Sequence, residues 1–376
     1  MSVPKLVVRS ILIAVAFWLT SLPGAARQAP QHLSDSDYLR LIERLSEPPG
    51  FFNSDNLISN EASYLQVLGG LRSLRVRDGV YLGVGPEQNF TYIAKTRPHV
   101  AFILDIRRQN LLFHWFFKSL FEMSRNRAEF VSFLFCKPMP VGALLNKKSD
   151  VERLLALFEP IPPNPELFRK NLALTESRIR RTHHFPLNAA DTKVIRDIYK
   201  EFFDYQFEIR FRSYGRPVYH FYPSFKEIAL EKDLEGHWGN YLNSEEDFQF
   251  LKRLQERNLI IPVVGDFAGP KAVRSIGAYI REMGETVSVF YVSNVEFYLL
   301  QNGVFAQYGE NLKLLPLDEK SLLIRAYFRF PHPERLPGYI SATLLQKMNS
   351  FIQIFDAKQY FSYQELGLRD YIAFRE

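Results

Sequence analysis

GVYLGVGPEQNF, residues 79–90, is the stretch whose reading decides the fold. GVYLGV reads as a short apolar strand running into a turn at Gly83 and Gly85, and EQNFTYIAKTRP reads as a helix ended near Pro98. Glycine at both positions lets the chain turn tightly and brings bare backbone close to a ligand. The motif then departs from a dinucleotide turn. Where a third small residue would let the helix come close, the chain has Pro86, Glu87 and Gln88.

Working outward, HVAFILDIRRQN holds a second buried strand over 100–106, ending in Asp105, twenty residues after Gly85 (105 minus 85). A carboxylate there can accept hydrogen bonds from ribose hydroxyls. The plainer reading is a tight turn followed by an Asp paired with neighbouring Arg107 or Arg108. A dinucleotide would rest its pyrophosphate on the helix N-terminus. Pro86 to Gln88 crowd that approach, and an ionised Glu87 would repel phosphate. S-adenosylmethionine carries no phosphate and has a sulfonium and an amino group, so an acidic, amide-rich loop suits it better than NAD.

The alternation of strand and helix returns late in the chain. LIIPVVGDFAG (259–269) is a strand and turn, PKAVRSIGAYIREMG a helix with Pro270 at its start, and ETVSVFYVSNVEFYLL a strand running into a helix. KSLLIRAYFRF (320–330) is a later strand and SATLLQKMNSFIQIF a late helix. Residues 137–258 are mostly helical, with polar joints. The pattern predicts an α/β, Rossmann-like, mostly parallel sheet with helices on both faces and a large helical insertion between its second and third strands. One domain, 34–376, would contain all of it. NLLFHWFFKSLFEM, apolar nearly all round, should be a buried helix.

The first 26 residues carry Lys5 and Arg9, an apolar run from Ile11 to Leu19 and small residues at Gly24 and Ala26. This reads as a signal peptide cleaved after Ala26, hence export to the periplasm or outside; the alternatives are an uncleaved anchor or a misplaced start in a cytoplasmic protein. No stable membrane span is expected after cleavage. The net charge of +6 has no long Lys or Arg run behind it, so a nucleic-acid partner is not expected. With 33 Phe and 19 Tyr the core should be strongly aromatic. Cys136 reads as a buried small hydrophobe rather than a nucleophile.

Strand, GVG turn, LDIR, VVGD and YVSN at successive strand ends resemble class I S-adenosylmethionine-dependent methyltransferases. NLISNEASYL, GVYLGVGPEQNFTYIA, FILDIRRQN and the run from IIPVVGDFAG to VFYVSNVEFYL are similar, over about 50–300, to a family of bacterial methyltransferase-like proteins of unassigned function. The resemblance implies that Gly83 and Gly85 line the methionine end of the cofactor, that Asp105 binds ribose and that Asp266 sits near the adenine amino group. It places Ser293 and Asn294 toward the methyl acceptor, with Tyr291 and Tyr298 as neighbouring aromatics. The chain departs from the family where Tyr81 and Leu82 replace an acid before the first glycine.

SNEASYL (59–65) and SNVEFYL (293–299) echo each other. Each Ser-Asn pair could simply cap a helix. Alternatively both face the cofactor cleft, with Asn60 and Gln88 among the cofactor's contacts, and with Glu61 as a base or as a partner for the ligand's amino group. The catalytic set is then Glu61, Ser293, Asn294 and Tyr298. His183 and His184 lie in a basic stretch without paired acids, so no metal site is expected. Arg210, Arg212, Tyr214 and Arg216 form either a solvated basic face or a grip for an anionic substrate. The functional readings are a methyltransferase acting on a small-molecule or unknown methyl acceptor, an exported non-catalytic binding protein on a degenerate methyltransferase fold, or a nucleotide-dependent oxidoreductase.

Overall fold

The computed structural model describes residues 29–140 and 149–374. The expected signal peptide, 1–26, lies outside them. Six strands form one sheet: β1 (Val80–Gly83), β2 (Val100–Asp105), β3 (Ile260–Val264), β4 (Val287–Ser293), β5 (Leu322–Phe328) and β6 (Ser341–Lys347), in the order β3-β2-β1-β4-β5-β6. All neighbours are parallel except β5 and β6, which are antiparallel. Every residue of β1, β2 and β3 is buried, as expected of continuous apolar strands covered on both faces.

Helices Gln88–Thr96 and Arg108–Met123 follow β1 and β2 directly. The second is buried without a break from Asn110 to Phe121. Its Phe117 and Phe121 join Phe90, Phe130, Tyr241 and Phe248 in a continuous aromatic cluster, with ring centroids 4.6 Å apart for Phe121 and Phe130. The chain from 106 to 259 contains no strand among its described residues, only helices and two isolated bridges. Its last helix, Glu245–Glu256, starts on a Ser244 side chain that accepts from the Asp247 N–H, and it packs back on Gln88–Thr96 and Arg108–Met123. Cys136 is buried, and burial pushes its thiol up to about 12, so it is a packing residue.

One element differs from the sequence reading. SATLLQKMNSFIQIF is not a single helix: Ser341–Lys347 forms β6, and the helix starts at Met348. The cause is distant. β5 offers a full antiparallel ladder from Leu322 to Phe328. The polar residues of β6 find buried partners on other elements, Thr343 with Ser63 at 2.9 Å and Gln346 with Arg325 at 2.8 Å. The edge of β6 is covered by the chain end, where the Ile372 N–H donates to Leu345.

Candidate functional site

The strand order reverses between β1 and β4, and in open α/β sheets that reversal opens a crevice beyond the carboxyl ends of the strands. A cleft of about 160 Å³ lies there, an order of magnitude above the space one water needs. It is walled by the residues that follow β1, β2, β3 and β4 and by the segment 51–61. Of the sequence-selected residues, Asn60, Glu61, Gly85, Gln88, Asp105, Asp266, Ser293, Asn294 and Tyr298 all line it. Gly83 does not. A Cβ on Gly83 would lie 2.0 Å from Asn89 Oδ1 and 2.9 Å from the Tyr81 hydroxyl, so close packing behind the turn requires this glycine.

The turn itself is held from both sides. Asn89 donates to the carbonyls of Val84 (2.9 Å) and Pro86 (2.8 Å) while accepting from Tyr81 at 2.8 Å. The Gly85 carbonyl accepts from Asn110 at 2.8 Å and from His114 at 2.9 Å. Burial lowers His114 to about 4, so the ring is neutral and donates through Nε2. Gly85 has φ +83°, a conformation that favours glycine. The loop is therefore preorganised, with three successive carbonyls satisfied.

Glu61 is the centre of the cleft's electrostatics. It is 1% exposed. Its Oε2 accepts from the Tyr291 hydroxyl at 2.7 Å and from Gln88 at 3.1 Å, and its Oε1 accepts from the Ser293 hydroxyl. Burial raises its pKa, and the hydrogen bonds from Ser293, Tyr291 and Gln88 oppose that rise. Among the described residues no cation pairs with it. Gln88 spends both amide hydrogens, on Glu61 and on the Tyr291 oxygen, leaving its buried Oε1 without a partner. Ser293, which ends β4 at a register shift, has φ +52°. A β-hydroxyl residue held there costs on the order of 1 kcal/mol, a strain typical of functional positions. Its reward is the Oγ contact that joins β4 to Glu61.

Asp105 is engaged. Arg107 grips it with Nε (3.0 Å), a terminal nitrogen (2.8 Å) and its own backbone N–H (2.9 Å), and also donates to the carbonyls of Ser54 and Asp55. The plainer sequence reading, an Arg-paired Asp, is thus what the structure contains. A carboxylate offers about four lone-pair positions, so one remains for a ligand. Asp266 lines the cleft and accepts from the Ala268 N–H through Oδ1 at 2.9 Å.

Three sequence arguments need correction. Glu87 does not line the cleft; it is buried, and burial lifts its carboxyl to about 8, so it is mostly neutral at pH 7. Its charge cannot repel a phosphate, and the acidic character of the site comes from Glu61 instead. His183 does have paired acids: Nδ1 lies 2.9 Å from Asp35 and Nε2 2.8 Å from Glu122, which also pairs with Lys118 and Arg178. The capping reading of the Ser-Asn pairs holds only in part: the Ser59 hydroxyl accepts from the Glu61 N–H at 3.1 Å, but neither Glu61 nor Asn294, the residues that start the following helices, makes a side-chain cap bond. Both segments turn into the cleft. Asp233, Glu235 and His237 also gather closely enough for a metal, but Arg72 already pairs with both carboxylates.

Sequence reasoning did not assign Arg107, Asn110, His114 or Phe52 to the site. A polar residue on an otherwise apolar buried helix is the signal that would have found Asn110 and His114. Phe52, edge-on to Tyr298 with centroids 4.9 Å apart, had no such signal.

A family profile described as a domain of unknown function (DUF7790) matches residues 57–138 and 175–370, and the chain belongs to that family. The unmatched residues between, 139–174, lie along the chain between β2 and β3. No curated protein matches the chain.

Proposed function

We propose that this chain is a methyltransferase of unknown acceptor that takes S-adenosylmethionine in the cleft, on a Rossmann-like sheet with a helical insertion between β2 and β3. The observation that carries the reading is Glu61: a buried carboxylate that lines the cleft at the strand-order reversal and has no cation partner among the described residues. Burying an unpaired charge is expensive, and a cationic ligand relieves it. When bound, S-adenosylmethionine supplies an electrophilic methyl group on a sulfonium. Glu61 and the open Oε1 of Gln88 bind the ligand's cationic end. The tight turn at Gly85 lets backbone approach it, and Asp266 accepts from an adenine amino group. The Asp105–Arg107 unit meets the ribose through one acceptor position and the guanidinium. Asn294 and Tyr298 orient the acceptor, while Phe51, Phe52 and Phe211 exclude water.

The engaged Asp105 favours a second reading, a non-catalytic binding protein on a degenerate methyltransferase fold. The signal-peptide expectation points the same way, because S-adenosylmethionine is made in the cytoplasm; mass spectrometry of the natural N-terminus decides it, an intact Met1 peptide removing export. Calorimetry of the full chain with S-adenosylmethionine, S-adenosylhomocysteine and NADH tests the main reading. Binding of the first two, weakened about tenfold or more by Glu61→Gln, is expected. No heat from either adenosyl compound, or tighter binding of NADH, overturns it.

A further inference from the structure

A second cavity, of about 470 Å³, abuts the cleft and shares Asn60, Asn294 and Tyr298 with it as a wall. Tyr222 and Phe297 line the second cavity beside that wall. The loop 211–222 reaches this position because Asp55 clamps Arg212, N–H to carbonyl and carboxylate to N–H, both at 3.1 Å.

The charges of this cavity are one-sided. Arg216 and Arg329 line it, and no Asp or Glu does. Elsewhere in the same basic stretch the arginines are neutralised: Arg210 pairs with Glu208 and Glu227, and Arg212 with Glu201. Among the described residues neither Arg216 nor Arg329 has an ion pair. Arg329 instead lies over the Phe297 ring, 4.2 Å from its centroid, and its backbone has φ +73°. Both guanidiniums act on Tyr298 in the shared wall: burial raises its phenol pKa, and Arg329 and Arg216 pull it down. The rest of the lining mixes uncharged polar side chains with aromatic rings, among them Phe221, 58% exposed and stacked 5.0 Å from Tyr219. Two unpaired cations on an acid-free hollow favour an anion, and guanidinium forks match carboxylate and phosphate oxygens. Exposed rings beside them suit a flat apolar body.

We infer that this cavity takes a small organic anion, a carboxylate or phosphate group carried on a flat apolar body, and that such a compound is the methyl acceptor. The word acceptor rests on the methyltransferase reading of the adjoining cleft; the anion site stands on the cavity's own residues.

The test titrates the full chain with 2-naphthoate, 2-naphthyl phosphate and the neutral 2-naphthamide, following binding by equilibrium dialysis. The proteins are wild type, Arg216→Gln, Arg329→Gln and the double variant, each also titrated with S-adenosylhomocysteine. One or both anions should bind, more tightly than the amide, and each substitution should weaken them about tenfold, with the amide unaffected. The tighter anion separates the carboxylate from the phosphate source. S-adenosylhomocysteine binding should not change in these variants, since neither arginine lines its cleft. If the anions bind no better than the amide, or the double variant binds them as well as wild type, the inference is overturned while the methyltransferase reading can stand. If the anions bind through the arginines but S-adenosylhomocysteine binds none of the proteins, the anion site stands and the acceptor role falls. Both arginines are exposed, so their loss leaves the fold intact; should one variant misfold, the contrast of anion with amide on wild type still decides.

Discussion

Glu87 is buried beside the glycine turn, its Oε2 has no hydrogen-bond partner among the described residues, and burial lifts its carboxyl from an ordinary 4.5 to about 8. Glu87→Gln keeps the shape and removes the titration. The folded-state pKa is raised, so the folded protein holds a proton that the unfolded chain releases. The group's contribution is therefore most favourable below about pH 4.5 and declines as pH rises toward 8. At about 1.4 kcal/mol per pH unit, rounded near both pKa values, the wild type should lose about 3 kcal/mol relative to Glu87→Gln between pH 5 and pH 8. Urea unfolding of both proteins at the two pH values measures this, and all other titrating groups cancel in the difference. The variant should be clearly more stable at pH 8 and near wild type at pH 5. A stability difference that is the same at both pH values would refute the reasoning and return Glu87 to the set of ionised, solvent-reachable carboxylates.

The two turn glycines should separate fold from binding. Gly83→Ala places a Cβ against Asn89 and Tyr81 and should cost about 1–3 kcal/mol by thermal unfolding, with adenosyl-ligand affinity retained by the folded fraction. Gly85→Ala strains a backbone at φ +83° by about 1–2 kcal/mol and puts a methyl into the cleft, 3.1 Å from Asn56 Nδ2, so affinity should fall as well. Glu296→Gln breaks a fully buried fork in which Arg325 donates to Glu296 at 2.7 and 3.1 Å; it should lower stability by about 3–5 kcal/mol without changing ligand affinity. An affinity change in Glu296→Gln, measured at a temperature where it is folded, would show that the pair communicates with the cleft.

Much of the scaffold could be read locally. The strand over 80–83, the helix after it, the strand over 100–105 and the helix Arg108–Met123 follow from runs of apolar residues whose period matches their structure, and Pro98 marks a real boundary. The all-parallel part needed only the alternation of such units. β6 was missed because SATLLQK has no intrinsic preference strong enough to outvote the helical pattern beside it; its strand character comes from β5 and from Ser63, some 280 positions away. In the site, residue type in the turns and segments beside the strand ends was enough to select nine residues that line one cleft. It was not enough to say which acid faces it. Glu61 and Glu87 both looked available, and Asp105 could be read either as a ribose ligand or as the partner of Arg107 or Arg108.

By itself, then, the sequence determined the period of most segments, the order of the first five strands along the chain, and the polar residues stranded near strand ends. These depend on interactions within a few residues. Only the tertiary structure decided that Glu61 faces the cleft without a cation, that Glu87 is turned inward, that Arg107 occupies Asp105, and that Arg216 rather than Arg210 or Arg212 is left unpaired among the described residues. A side chain's charge state depends on what surrounds it in three dimensions: Tyr291 and Ser293 reach Glu61 from 230 and 232 positions away, and no local pattern encodes that meeting.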